Sequence, residues 1–400
     1  MNEWKEYKLG ELIDVKHGFA FKGTYITDVG NKNILVTPGN FHIGGGFKDT
    51  KFKYYNSNDF SDEYILNEGD IVVTMTDLSK DSDTLGYSAK IPKLDGIQFL
   101  HNQRVGLVQF KSEIADKDFL YWLMRTRDYQ SYIVGSASGT SIMHTSPSRI
   151  KEYEFFLPPL SEQKSIAAVL SSLDDKIDLL HRHNATLEKM AETLFRQWFV
   201  EEAEEDWKVG KVNDLVELLS GFAFKSSSFV ESGKYRLITI KGVQDGYLEL
   251  NNADRIEVLP NKMPDYCKLD VGDILLSLTG NVGRCCLVDT SDLLLNQRVA
   301  KLHPINERDR AFTYFLFRQP QFKQTLEDMG KGTAQSNLSP IETANMELLI
   351  PDEGKLIEFS TTATPFLNKL LFNKKSIQTL SNLRDTLLPK LMSGEVRVAE

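Results

Sequence analysis

Cysteine is scarce: Cys267, Cys285 and Cys286 are the only thiols in 400 residues. Their spacing builds neither a C-x-x-C redox or zinc motif nor the disulfide framework of a secreted domain, so a reducing, cytoplasmic setting is expected. Long hydrophobic runs are missing too. No stretch reaches the roughly 18 apolar residues of a membrane helix, and the opening MNEWKEYKLG has no signal-peptide core; no membrane association is expected. Positive charge is in deficit, with 47 Lys and Arg against 56 Asp and Glu for a net charge of −9, which argues against a general nucleic-acid coat. Five of those surplus acids sit together at Glu201, Glu202, Glu204, Glu205 and Asp206, so a local basic patch elsewhere stays open.

Catalytic equipment is thin as well. The histidines (His17, His42, His101, His144, His181, His183 and His303) make no H-E-x-x-H and no zinc spacing with the cysteines. No G-x-x-x-x-G-K-[ST] loop occurs, and Gly44-Gly45-Gly46 lacks the G-x-G-x-x-G pattern and reads as a hairpin turn. Pro351-Asp352-Glu353-Gly354-Lys355 reads as a loop leading into a helix, and Leu157-Pro158-Pro159-Leu160 lacks the polar first and aromatic fourth residues of the amino-methyltransferase loop Asn/Asp-Pro-Pro-aromatic. No catalytic or metal-binding residue is assigned.

What the chain does have is a repeat, within a length that suggests two to three domains. Trp4–Lys22 aligns with Trp207–Lys225 without a gap, with nine identities in nineteen positions, and both segments end in G-F-A-F-K. At the same offset Gly69-Asp70-Ile71 meets Gly272-Asp273-Ile274, each opening an apolar run (IVVTM, ILLSL) that reads as a buried strand. The offset then shortens from 203 to 194 and 193, bringing Asn102-Gln103-Arg104-Val105 onto Asn296-Gln297-Arg298-Val299 and FLYWLMR (119–125) onto FTYFLFR (312–318). The extra residues of the first copy fall in the polar loop from Asp77 to Thr84. Gly139-Thr140 on Gly332-Thr333 and Ser146-Pro147 on Ser339-Pro340 continue the register. Each copy reads as a mixed α/β unit.

A helix follows each copy. From Ser161, a plausible cap behind Pro158-Pro159, positions 173, 177, 180, 184, 187, 191, 194 and 198 alternate 4-3 as Leu, Ile, Leu, Asn, Leu, Ala, Leu and Trp. Shifted by 193, the second seam is Phe366, Leu370, Asn373, Ile377, Leu380, Arg384, Leu387 and Leu391. Asn184 and Asn373 at seam positions are either solvated or buried to fix register. Helices are predicted over 161–200 and 354–394, the first about 60 Å long. The fold class is α+β, with two pseudo-repeated α/β domains separated by two long helices that form an antiparallel coiled coil.

Both copies place polar groups suited to phosphates and base edges in loops. Lys22 and Lys225 end the repeated motif, and Gln103-Arg104 and Gln297-Arg298 follow apolar runs. Ser138, Thr140 and Ser141 share a Gly-Thr loop that aligns with Lys331, Thr333 and Ala334, and Gln335 follows as a further candidate. Thr76 and Lys80 follow the first buried strand, as Thr279, Asn281 and Arg284 follow the second, and Lys241 joins them as a candidate. Arg and Lys suit guanine and phosphate, Gln and Asn suit adenine, and Gly-Thr backbone approaches phosphates closely. The competing reading is structural: Phe19, Phe21, Phe222 and Phe224 as core, and Asn102-Gln103 and Asn296-Gln297 as strand residues that satisfy buried backbone.

The duplicated G-F-A-F-K units, the paired N-Q-R segments, the G-T loops and L-P-P-L-S-E-Q-K-S-I-A at 157–167 together resemble the specificity subunits of Type I restriction-modification systems, over nearly the whole chain. The resemblance implies target recognition domains at 1–157 and 207–351, conserved helical spacers at 158–200 and 352–396, and an acidic linker at 201–206. It implies a non-catalytic subunit that reads an asymmetric bipartite site in double-stranded DNA with an unread spacer. Two methyltransferase subunits and restriction/translocase subunits would be its partners, and S-adenosylmethionine, ATP and Mg would belong to them, with no cofactor in this chain. Leu160, Glu162, Gln163 and Ile166 of the P-P-L-x-E-Q hallmark would contact a partner. The second copy has I-P-D-E-G-K-L-I at 350–357 instead, without that hallmark. The alternatives are a self-sufficient DNA methyltransferase or nuclease, and a coiled-coil scaffold without a DNA role.

Overall fold

The computed structural model describes residues 4–77, 79, 83–139, 142–204, 207–331 and 336–398. They fall into two compact units, one made of Met1–Lys176 with Leu380–Glu400 and the other of Ile177–Thr379. This division differs from the contiguous domains expected from sequence. Each unit takes part of both long helices, because antiparallel helices from distant parts of the chain bury their seams together with the globular segment beside them.

The repeat carries through to topology. In the first unit a four-stranded antiparallel sheet runs Ile13–His17, Val105–Phe110, Ile71–Thr74, Ser88–Lys90. The second unit repeats it as Val216–Ser220, Val299–Pro304, Ile274–Ser277, Cys285–Leu287. Each unit adds a mixed sheet with one parallel pair, Asn33–Val36 beside Gln98–His101 and Tyr235–Ile238 beside Leu293–Leu295. Lys5–Lys8 pairs with Glu154–Leu157, and Lys208–Lys211 with Glu347–Ile350, so each copy closes its first strand on its last. The runs read as buried strands are buried at all four positions in both copies. The aromatic segments are short helices, Lys117–Leu123 capped by Asp116 and Arg310–Arg318, whose Phe119, Trp122, Phe312 and Phe317 sit in the cores.

The long helices run Leu160–Arg196, extended by a π-helical turn Gln197–Glu201, and Glu353–Met392. The first begins one residue before the expected Ser161. The second begins at Glu353, where Asp352 accepts from the Lys355 N–H at 3.1 Å and so caps it. In the first unit Asp174 meets Arg384 and Glu162 meets Arg397; in the second, Asn184 meets Asn373 and Phe195 meets Phe359. In both units the numbering falls along the second helix and the residues just past its end as it rises along the first, so the pairing is antiparallel. Asn373 is fully buried, and its Nδ2 donates to Asn184 Oδ1 at 2.9 Å. That decides between the two readings of these asparagines. A polar pair inside an apolar seam costs stability but penalises every shifted register.

All three cysteines are buried in the second unit. Among the described residues no helix is long and apolar enough to cross a membrane.

His101, on the parallel strand of the first unit, is fully buried, and its Nε2–H donates to the Val105 carbonyl at 2.8 Å. Burial pushes the imidazole down to about 4, against the hydrogen bond to Val105. An unfolded histidine titrates near 6.5, so between these values the unfolded chain binds the extra proton and stability falls as pH falls. The expected loss is about 3 kcal/mol from pH 6.5 to 4. His101→Leu, the residue the second copy carries at the aligned position 295, will remove that slope. Urea midpoints of both proteins across this range check it, and parallel curves would refute a neutral buried His101.

Candidate nucleic-acid interface

Three separate segments meet in the same way in each unit. The residue after the buried strand, Met75 or Leu278, donates its N–H to the carbonyl of Arg104 or Arg298 at 2.9 and 3.0 Å, and its own carbonyl accepts from Thr145 or Leu338 at 3.0 and 2.7 Å. The strand end, the N-Q-R segment and the far flank of the Gly-Thr loop are thereby stitched together by backbone bonds. Thr76 and Thr279 complete the junction. Both are buried, with the Thr76 hydroxyl 3.1 Å from His144 Nδ1 and the Thr279 hydroxyl donating to Asn337 Oδ1 at 2.8 Å. These two threonines therefore position the loop instead of presenting a group to a ligand.

The N-Q-R segments are tight turns, which corrects their reading as strand interior. Asn102 Oδ1 accepts from the Arg104 N–H at 2.9 Å, and Asn296 Oδ1 from the Gln297 N–H at 2.8 Å. Arg298 takes a positive φ of 70°. The asparagine folds the turn, which leaves Gln103, Arg104, Gln297 and Arg298 exposed at its tip. Arg298 Nη1 reaches the Thr279 hydroxyl at 3.5 Å.

The G-F-A-F-K motif is the brace under this turn. Phe19 bonds His101 and Gln103 through its backbone, and Phe222 bonds Leu295 and Gln297 likewise. A Cβ on Gly18 or Gly221 would lie 2.2 or 2.1 Å from the carbonyl oxygen of Asn102 or Asn296, so glycine is required by close approach. Phe21 and Phe224 are core, with Phe19 and Phe222 packed against them. Lys22 pairs with Asp59 at 3.1 Å on the surface, and Lys225 is exposed.

Of the remaining candidates, Ser138 is exposed, and its backbone bridges to His144. Lys331 is exposed and pairs with Asp328 at 2.6 Å. Lys241 and Asn281 are exposed, while the half-buried Arg284 donates to Gln244 Oε1. Lys80, Thr140, Ser141, Thr333 and Gln335 lie outside the described residues. In the longer loop of the first copy, Asp77 accepts from the Ser79 and Thr84 N–H groups at 2.6 Å each and from the Thr84 hydroxyl at 2.7 Å. Burial works to raise this carboxyl, but those hydrogen bonds prevail and hold it below the ordinary range.

The hallmark residues at the start of the first long helix are largely inside the first unit. Gln163 donates to the Ile114 and Pro158 carbonyls at 3.0 and 2.7 Å and accepts from the Asp116 N–H at 2.7 Å. Ile166 is fully buried. Neither offers a partner any surface without rearrangement, which corrects their assignment as contacts: they lock helix to domain. Leu160 is 37% exposed, and Glu162 accepts from the Trp4 indole N–H at 3.1 Å and from Arg397. In the second copy the position of Gln163 is taken by buried Leu356, so an apolar contact replaces the polar lock. Arg125, just past the first aromatic helix, and Arg318, at the end of the second, received no role from the sequence, although both are largely buried against carboxylates of the first long helix.

Comparison with known proteins agrees with the duplicated architecture. The family model for the Type I restriction modification DNA specificity domain matches twice, over residues 1–189 and 204–381. The chain is 27% identical over 307 residues to the Type I restriction enzyme MjaIX specificity subunit of Methanocaldococcus jannaschii, covering 71% of this chain and 70% of that one. It is 22% identical to the HindI specificity subunit of Haemophilus influenzae, covering 99% and 100%. The crystal structure of the S subunit of a Type I restriction-modification system from M. genitalium shares the fold, with a TM-score of 0.61 at 19% identity over 98% of this chain and 96% of that one. Carrying two copies of the family's domain, the chain is a member of the Type I restriction-modification DNA specificity family.

Proposed function

We propose that the chain is the DNA-recognition subunit of a Type I restriction-modification complex. Each domain reads one half of a bipartite duplex site, and the DNA between the halves is left unread. The observation that carries this reading is the matched junction in the two units, which holds a Gln-Arg turn out from a rigid base beside a loop that differs between the copies. Gln and Arg are the side chains that address adenine and guanine edges bidentately, at about 1–3 kcal/mol of discrimination per contact. Because Asp77 to Thr84 and Asn281 to Arg284 differ in length and composition, the half-sites differ and the site is asymmetric.

Catalysis belongs to the partners in this reading. Two methyltransferase subunits dock on the chain, restriction/translocase subunits join them, and S-adenosylmethionine, ATP and Mg are bound there and not by this chain. The complex works in the cytoplasm. Lys225, and less so the Asp59-paired Lys22, contacts phosphate.

The test is a salt titration of duplex binding by the chain with its methyltransferase partner. Lys225→Ala will weaken binding to every sequence alike and reduce the slope of log K against log salt by about one. A wild-type complex that prefers no DNA sequence over any other would overturn the reading, and an unchanged slope would remove Lys225 from the interface.

A further inference from the structure

Arg125 and Arg318 occupy matching places, each four residues after a tyrosine, Tyr121 or Tyr314, in the aligned aromatic helices. Their side chains are 4% and 13% exposed. In the first unit Arg125 Nη1 donates to Asp174 of the first long helix at 2.7 Å and to the Tyr121 hydroxyl at 2.8 Å, and Nε donates to the Gly44 carbonyl at 3.0 Å. Arg384 of the second long helix holds the other oxygen of Asp174 at 2.5 Å. In the second unit Arg318 Nη2 reaches Glu188 and Glu192 of the first long helix at 3.1 and 3.2 Å, while Nη1 faces Asp245 at 3.6 Å. The Tyr314 hydroxyl donates to Glu188 at 3.0 Å.

Glycine turns of the two units lie close against these arginine side chains. Gly45 and Gly246 have φ of 84° and 86°, and a Cβ on either would come 2.6 Å from Arg125 Cγ or Arg318 Nη1. In the second unit the relay goes further. Gln244, in the same turn as Asp245 and Gly246, accepts from Arg284, which sits in the variable loop with Asn281. Lys323 holds Asp245 at 2.5 Å, and Lys374 of the second long helix donates to the Gly246 carbonyl at 3.1 Å. In the second unit, ion pairs, a hydrogen bond and the adjacent backbone of Gln244 and Asp245 thus connect helix carboxylate, arginine fork, glycine turn and variable loop. A guanidinium presents donors in several fixed directions at once, which an ammonium does not. Buried ion pairs of this kind are better suited to fixing one arrangement than to adding net stability.

We propose that Arg125 and Arg318 are positioning residues for DNA specificity: each sets the pose of its domain's reading edge relative to the helices packed in its own unit, and thereby the unread spacing the protein accepts. The proposal rests on the DNA-reading role argued above. It makes the forks responsible for spacing, and leaves base identity to the exposed turns and loops.

The experiment uses the full chain with its methyltransferase partner, as wild type, Arg318→Lys and the double variant Glu188→Gln/Glu192→Gln. Each is titrated with the cognate duplex, with duplexes whose spacer is one base pair longer or shorter, and with duplexes mismatched in either half-site. Arg318→Lys and the double variant will keep their mismatch discrimination but lose discrimination between spacers by about fivefold. Should Arg318→Lys fail to fold, as judged by its melting transition, the double variant, which removes both charges but keeps one acceptor oxygen on each side chain, decides the matter. A folded variant with the wild-type spacer profile would overturn the proposal. Wild type that discriminates neither spacer nor half-site would instead sink the DNA-reading role itself.

Discussion

A chain whose residues 207–351 are replaced by the second domain of another family member will recognise a site with one half changed and the other unchanged. The domain closes on itself, since Lys208–Lys211 pairs with Glu347–Ile350, so the exchange cuts the chain where few sheet contacts cross. Each mismatched base pair costs about 1–3 kcal/mol, so three new mismatches lower affinity for the old duplex by about a hundredfold or more. The donor should retain the Tyr-x-x-x-Arg spacing that meets Glu188 and Glu192, because without it the new domain leaves two half-buried carboxylates without their arginine. Methylation mapping in a host carrying the chimera gives the result. A change in both halves would show that the domains do not read independently.

A heptad inserted in both long helices, between Leu180 and Leu187 and between Asn373 and Leu380, will shift the preferred unread spacer with reduced affinity or abolish specific binding. The insertion preserves the seam and lengthens the helical pair by about 10 Å. That corresponds to roughly three base pairs of B-DNA. Three base pairs also turn the groove by about 100°, a rotation a rigid helical pair does not follow. Titration against duplexes with fixed halves and a spacer varied by single base pairs distinguishes the outcomes. An unshifted optimum at wild-type affinity would end the idea that the helices set the distance.

Much of the architecture was legible because it is periodic or repeated. Gly18 and Gly221 sit where only glycine fits, so the repeat preserves them visibly. The seam positions obey a spacing that needs no knowledge of the partner helix, and Asn373 and Arg384 show themselves as the polar residues interrupting the second one. What could not be read was long-range and polar. The Asn102 and Asn296 side chains fold a turn because each bonds a neighbour's N–H, and the same letters would satisfy a strand. Gln163 looked like a surface hallmark, yet its three hydrogen bonds go to Ile114, Pro158 and Asp116, partners that sequence cannot bring together. Arg125 and Arg318 were aligned by the repeat, but their burial depends on carboxylates supplied by a helix elsewhere in the chain.

The distribution of sulfur turns the molecule into its own reporter. Burial raises the Cys285 thiol and pushes Cys286 up to about 12, and Cys267 is raised as well, again chiefly by burial. Since the thiolate is the reacting form, an alkylating reagent meets these groups when the second unit opens. The first unit contains no cysteine at all. Labelling rates in the unmodified protein therefore time the opening of one half of a duplicated molecule while the other half stays silent, so the unfolding kinetics of two near-copies can be separated without introducing a probe.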